Sequence, residues 1–168
     1  MPAKQSFDII TECDLQEVDN AVNQAQKELD NRYDFRGVEF EIEFRRNDNA
    51  IQITASDEYK LDAIWDVLSG KMIRREVPTK NLHRGEKEKA GGSMIRQTIS
   101  LQMSLSSDTA KKIVKFIKEK KLKKIQASIQ QEQVRVVSPS RDELQNVMSL
   151  LKEEDFECEL KFTNFRSQ

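Results

Sequence analysis

Ala50-Ile51-Gln52-Ile53-Thr54-Ala55-Ser56-Asp57-Glu58-Tyr59-Lys60-Leu61-Asp62-Ala63-Ile64-Trp65-Asp66-Val67-Leu68 has a counterpart later in the same chain. It is Gln133-Val134-Arg135-Val136-Val137-Ser138-Pro139-Ser140-Arg141-Asp142-Glu143-Leu144-Gln145-Asn146-Val147-Met148-Ser149-Leu150-Leu151. At an offset of 83, Ile51, Ile53, Leu61, Ile64 and Leu68 fall on Val134, Val136, Leu144, Val147 and Leu151. In both stretches apolar residues first alternate, as in a half-buried strand, and then recur every three or four positions, as in an amphipathic helix. Five apolar positions in register mark an internal repeat.

Working outward, each stretch sits in a longer series of elements. In the first half, residues 6–12 are a short strand candidate. Asp14 caps a helix with Leu15, Val18, Val22, Ala25 and Leu29 on one stripe, and Glu17 completes a capping-box spacing. Val38, Phe40, Ile42 and Phe44 alternate with Glu39, Glu41, Glu43 and Arg45, and Asn47-Asp48-Asn49 turns the chain into the quoted strand. In the second half, Ile95, Ile99, Leu101, Met103 and Leu105 form a strand. Ser107 and Asp108 introduce a helix with Ala110, Ile113, Val114 and Ile117 on one side. Ile125, Ala127 and Ile129 form the strand before the quoted one, and Phe156, Cys158, Leu160 and Phe162 a last strand.

The second half therefore reads as βαββαβ. The first reads as βαββα, with its final strand to come from the poorly patterned residues 79–94. The expected fold class is α+β, a tandem of ferredoxin-like domains over 1–90 and 91–168. Each has a four-stranded antiparallel sheet with both helices on one face. Strand exchange between the halves is an open alternative. RNA-recognition domains of this topology bind single strands on the open sheet face. The quoted strands carry no aromatic residue for stacking, so a standard RNA-recognition platform is not expected.

Charge says more than composition. Of 168 residues, 28 are Lys or Arg and 29 are Asp or Glu, a formal net charge of −1. Residues 1–62 carry 15 acidic and 7 basic side chains, whereas residues 71–124 carry 16 basic and 5 acidic. The near-neutral total hides a basic middle suited to a polyanion. Eight lysines lie between positions 111 and 124 against Glu119 alone. At 100° per residue, Lys111, Lys115 and Lys118 fall within about a 60° arc of one helix. Candidate phosphate contacts are Lys111, Lys112, Lys115, Lys118, Lys121 and Lys123. Arg135 and a hydroxyl and amide sheet face (Arg96, Thr98, Ser100, Gln102, Ser104, Gln126, Ser128 and Gln130) would supply hydrogen bonds. Arg166 would pair a phosphate or close the last strand on Asp8.

Other chemistries find little support. His83 is the only histidine, and Cys13 and Cys158 fit no metal spacing. No phosphate-cradling glycine motif or nucleophile constellation appears, so an enzyme, a metal or a bound cofactor is not expected. No apolar run nears the roughly 18 residues that span a bilayer. A cytoplasmic protein without membrane contact is the expectation.

The chain resembles the YajQ family of small bacterial nucleotide-binding proteins. The carrying segments are Ser6-Phe7-Asp8-Ile9, Asp14-Leu15-Gln16-Glu17-Val18 and Arg32-Tyr33-Asp34-Phe35-Arg36-Gly37. Further on come Ala110-Lys111-Lys112-Ile113-Val114-Lys115, Arg141-Asp142-Glu143-Leu144-Gln145 and Phe162-Thr163-Asn164-Phe165-Arg166. The resemblance implies tandem ferredoxin-like domains and binding of nucleotide or RNA. It offers cyclic di-GMP reception, acting through a protein partner, as the alternative.

Overall fold

The computed structural model describes residues 4–167. Its first elements are β1 (Gln5–Ile10), α1 (Leu15–Asp30), β2 (Phe40–Arg45), β3 (Ala50–Ala55) and α2 (Glu58–Arg74). Then follow β4 (Leu82–Arg84), β5 (Glu88–Ala90), β6 (Met94–Leu101) and α3 (Ser107–Glu119). The series ends with β7 (Gln126–Gln130), β8 (Gln133–Ser138), α4 (Arg141–Lys152) and β9 (Lys161–Ser167). No helix among the described residues is long and apolar enough to cross a membrane.

Caps explain where the helices begin. Asp14 accepts hydrogen bonds from the backbone N–H groups of Gln16 and Glu17, Asp57 from Lys60, and Ser140 from Glu143. The cap of α3 is Ser106, which accepts from the Thr109 N–H, one residue ahead of the expected Ser107. Each such cap satisfies an otherwise orphaned donor and contributes about 1 kcal/mol.

The chain divides into two compact units, one of residues 13–103 and one of residues 1–12 with 104–168. The expected boundary at 90/91 is not the one observed. The reason lies in strand pairing. β1 does not join the sheet of its own half; it pairs antiparallel with β8, Phe7 opposite Val136, and with β9, Ile9 opposite Phe162. β6 likewise pairs with β3, placing Ile53 opposite Gln97. Each half gives its first strand to the other unit. The exchanged strands lie inside their sheets, not at the edges.

With that exchange both units have the ferredoxin-like strand order. The discontinuous unit has β7-β8-β1-β9, and the continuous unit β2-β3-β6-β4, with β5 also on β6. The last strand expected from 79–94 is the three-residue β4. All ten repeat positions, Ile51, Ile53, Leu61, Ile64 and Leu68 with Val134, Val136, Leu144, Val147 and Leu151, are buried in the two cores. Full burial of one such side chain stabilises by about 1.5–3 kcal/mol relative to exposure. The repeat seen at an offset of 83 is thus the shared frame of the two units.

β9 starts later than the alternation of Phe156, Cys158, Leu160 and Phe162 suggests. Phe156 and Cys158 are buried, yet the backbone there turns. Glu157 has a φ of 68°, and its N–H bonds to the Asp155 carboxylate, so no ladder forms until Lys161. Cys13 and Cys158 are both buried thiols outside any disulfide, one in each core.

Candidate functional site

α3 is built to present lysines. Its buried residues Thr109, Ala110, Ile113 and Ile117 recur at helical spacing and dock on the sheet of the discontinuous unit. That leaves Lys111, Lys112, Lys115 and Lys118 exposed. Lys121 follows the helix with a φ of 52°, which turns the chain back. Lys111, Lys115, Lys118 and Lys121 line one furrow of about 490 Å³, with Val114 and Ile129 as its apolar floor and Glu119 at its rim. Ile129, on β7, is 44% exposed. Lys118 and Lys121 also border a neighbouring depression of about 500 Å³ that reaches Gln126 and Ser128 of β7.

The acidic content of this surface is low. Lys115 stands 3.9 Å from Glu119, and both are exposed. Among the described residues, Lys111, Lys112, Lys118, Lys121 and Lys123 have no acidic partner within 4 Å. Lys112 and Lys123 do not line the furrow and flank it in sequence only. Lys120 lies over Phe116, 4.8 Å from the ring centroid.

Arg135 and Arg166 lie elsewhere. Val134 and Val136 face the core, so Arg135 points to the sheet face opposite the helices. There its Nε donates to Asp8 Oδ1 at 2.9 Å and its Nη2 to Oδ2 at 3.4 Å. Asn164 Nδ2 donates to the same carboxylate at 2.6 Å, and Gln133 Nε2 at 3.4 Å. Burial would push the Asp8 carboxyl up. The hydrogen bonds from Arg135 and Asn164, with the charges of Arg135 and Arg166, outweigh that and hold it below the usual carboxylate range. Arg135 is thus the hydrogen-bonding partner of a buried acid, and its side chain is half-buried.

Arg166 pairs in register with Ser6 at the far edge of the same sheet. Phe165 departs from the even spacing of Phe156, Cys158, Leu160 and Phe162, and a bulge explains it. Asn164 has a φ of 59°, and the β1–β9 register shifts between Asp8 and Ser6. After the bulge Phe165 packs against Phe7, at 5.9 Å between ring centroids, beside Phe162 on that ring's other contact. The four lysines of the furrow therefore lie apart from Arg135 and Arg166, whose charges both act on Asp8. The expected hydroxyl and amide face is also divided. Arg96, Thr98 and Ser100 belong to β6 in the continuous unit, in one sheet with Glu41 and Glu43, whereas Gln126, Ser128 and Gln130 stay with β7.

Sequence comparison fits this frame along the whole chain. Residues 5–166 match the family model described as "Nucleotide-binding protein YajQ-like". The chain belongs to the YajQ-like family. A protein of Magnetococcus marinus is 51% identical over 161 residues, covering 96% of this chain and 98% of its own. One of Trichlorobacter lovleyi is 49% identical with the same coverage, and one of Koribacter versatilis 47% identical over 98% of this chain and 99% of its own. All three are named nucleotide-binding proteins. This YajQ-like chain spans nearly the full length of these relatives. Among the described residues no group of three His, Cys, Asp or Glu side chains is placed to hold a metal ion.

Proposed function

We propose that the chain is a non-catalytic binding protein for nucleotides or RNA, and that it grips phosphates along the lysine furrow of α3. The observation that carries this reading is the convergence of Lys111, Lys115, Lys118 and Lys121 on one furrow with an apolar floor. Lysine ammonium groups neutralise phosphates, and Val114 and Ile129 offer a dry surface for sugar and base faces. Lys112 and Lys123 add to the positive field from the flanks. The names of the relatives support the same ligand class. Two buried thiols outside any disulfide suit a reducing, cytoplasmic setting.

The test replaces Lys111, Lys115, Lys118 and Lys121 together with Glu. Binding of a fluorescent single-stranded oligoribonucleotide should fall at least 100-fold, and each lost phosphate contact should remove about 0.7 from the log–log salt slope. Circular dichroism should stay unchanged, because all four side chains are exposed. Unaltered affinity overturns the assignment. Cyclic di-GMP and GTP are titrated in the same format. A strong preference for the cyclic ligand over both GTP and RNA moves the reading to signalling through a protein partner.

A further inference from the structure

We infer that a second groove, between α4 and the end of β9, binds one nucleotide by stacking its base on Phe165 and pairing its phosphate with Arg141 and Arg166. The inference shares only its ligand class with the reading above and uses none of the furrow's lysines. The groove measures about 430 Å³, within the range of small-molecule sites. Its walls bring together two sequence segments that the furrow leaves unused, the one starting at Arg141 and the one ending at Arg166.

The bulge at Asn164 makes the aromatic available. Phe165 rests on Phe7, which is fully buried, yet Phe165 itself is 61% exposed. A ring backed on one side by a fixed core residue and open on the other is a stacking surface. Asn164 is held to the buried Asp8 carboxylate, so the backbone that aims Phe165 and Arg166 is anchored. Facing this, α4 contributes Arg141, Gln145 and Met148 at spacings of four and three, which places them on one stripe.

The chemistry matches a nucleotide part by part. Among the described residues, neither Arg141 nor Arg166 has an acid within 4 Å. Asp8, the acid whose field Arg166 feels, is already bonded to Arg135. Two available guanidiniums suit a phosphate, which accepts several hydrogen bonds in a plane they can match. Met148 and Phe165 suit the flat base, and Ser6 and Gln145 offer donors and acceptors for the ribose or the base edge. A bare anion would leave the apolar part of the groove unused. Asp142 and Glu143 occupy the first turn of α4, so the phosphate is recognised by the arginines and not by the helix N-terminus.

The test is calorimetry of the full chain with AMP, GMP, CMP and UMP, alongside ribose 5-phosphate and inorganic phosphate. At least one nucleotide should bind about tenfold or more tightly than ribose 5-phosphate, as stacking of one base allows. F165A should remove that advantage, while F165W should keep it and show tryptophan quenching on binding. R141A and R166A should each weaken nucleotide and ribose 5-phosphate alike by about fivefold or more. Mononucleotide binding that R141A and R166A leave intact and that the fourfold lysine-to-Glu variant abolishes places the site in the furrow and overturns the inference. No saturable binding of any mononucleotide at millimolar concentration overturns the inference, as does binding that survives F165A and the two arginine variants. Equal affinity for ribose 5-phosphate overturns the stacking role. The oligoribonucleotide loss in the lysine variant reports on the furrow alone, so the two readings fail separately.

Discussion

α1 and α3 occupy the same place in their two units and differ in what they show to solvent. Laying the cap Asp14 on the cap Ser106 puts Val18, Ala21 and Ala25 on Ala110, Ile113 and Ile117, and all six are buried. Outside the stripe, Asp19, Asn20, Asn23 and Gln26 of α1 correspond to Lys111, Lys112, Lys115 and Lys118 of α3. The apolar stripe sets the fold twice over. The remaining positions are free to differ, and on one helix they became a cationic surface. Core residues and ligand residues are thus separable on the same three turns.

The largest expected effect comes from exchanging those faces. K111D, K112N, K115N and K118Q together should lower oligoribonucleotide affinity roughly 100-fold or more, with helix content retained. The converse graft, D19K, N20K, N23K and Q26K on α1, should add a salt-dependent binding mode, read as a steeper log–log salt slope. A graft that adds nothing would show that the furrow shape, and not charge on a helix, makes the site.

The open sheet faces supply the next contrast. Register places Asp8 opposite Arg135 in one unit and Thr98 opposite Gln52 in the other. Asp8→Ala should cost about 3 kcal/mol in chemical denaturation, because it leaves a charged partner without its acid. Thr98→Val, on an exposed face, should stay within about 0.5 kcal/mol. The Asp8 carboxyl lies below its ordinary value when folded, so on acidification the unfolded chain takes up the proton first. Its stabilisation is complete above the ordinary carboxylate value and is lost as pH falls through the lower folded value. Denaturation of the wild type near pH 3 should therefore show a loss relative to pH 6 that Asp8→Asn lacks. Equal acid loss in both proteins would remove Asp8 from the account.

The smallest effect concerns Lys115 alone. Its exposed pairing with Glu119 should contribute within about 0.5 kcal/mol, so Glu119→Gln leaves stability nearly unchanged. The same substitution should raise oligoribonucleotide affinity about twofold at low salt, by removing the one acid on the furrow rim.

These contrasts also show what could be read from the residues. Periodicity located the four α-helices and the β2–β3 and β7–β8 hairpins, because burial on one face imposes a spacing that the chain itself displays. The alternation at Phe7, Ile9, Ile95, Ile99 and Leu101 named two strands but not their sheets. An apolar face specifies depth, and either core would have accepted it. The partners of β1, more than a hundred positions away, leave no local mark. The lysines of α3 were legible for a similar reason, since charge on a capped helix stays on the outside. Arg135 was legible only in part. Its outward parity is visible in the sequence, whereas Asp8, which holds it, arrives from the other half. The groove at Arg141 and Phe165 had one visible sign, the broken parity at Phe165, and that sign needed the Asn164 bulge to be understood.

The exchange of first strands also sets an order of assembly during synthesis. Residues 13–103 are contiguous, so that unit has all its strands once Leu101 has been made. β1 is made earliest and completed last: Asp8 meets Arg135, 127 positions downstream, and β9 follows later still. Through that interval β1 carries two unpaired edges, the kind of surface that recruits stray strands. Anything that delays β9 lengthens this exposure. The seven residues of β9 are, in time as well as space, the latch that closes over the first six.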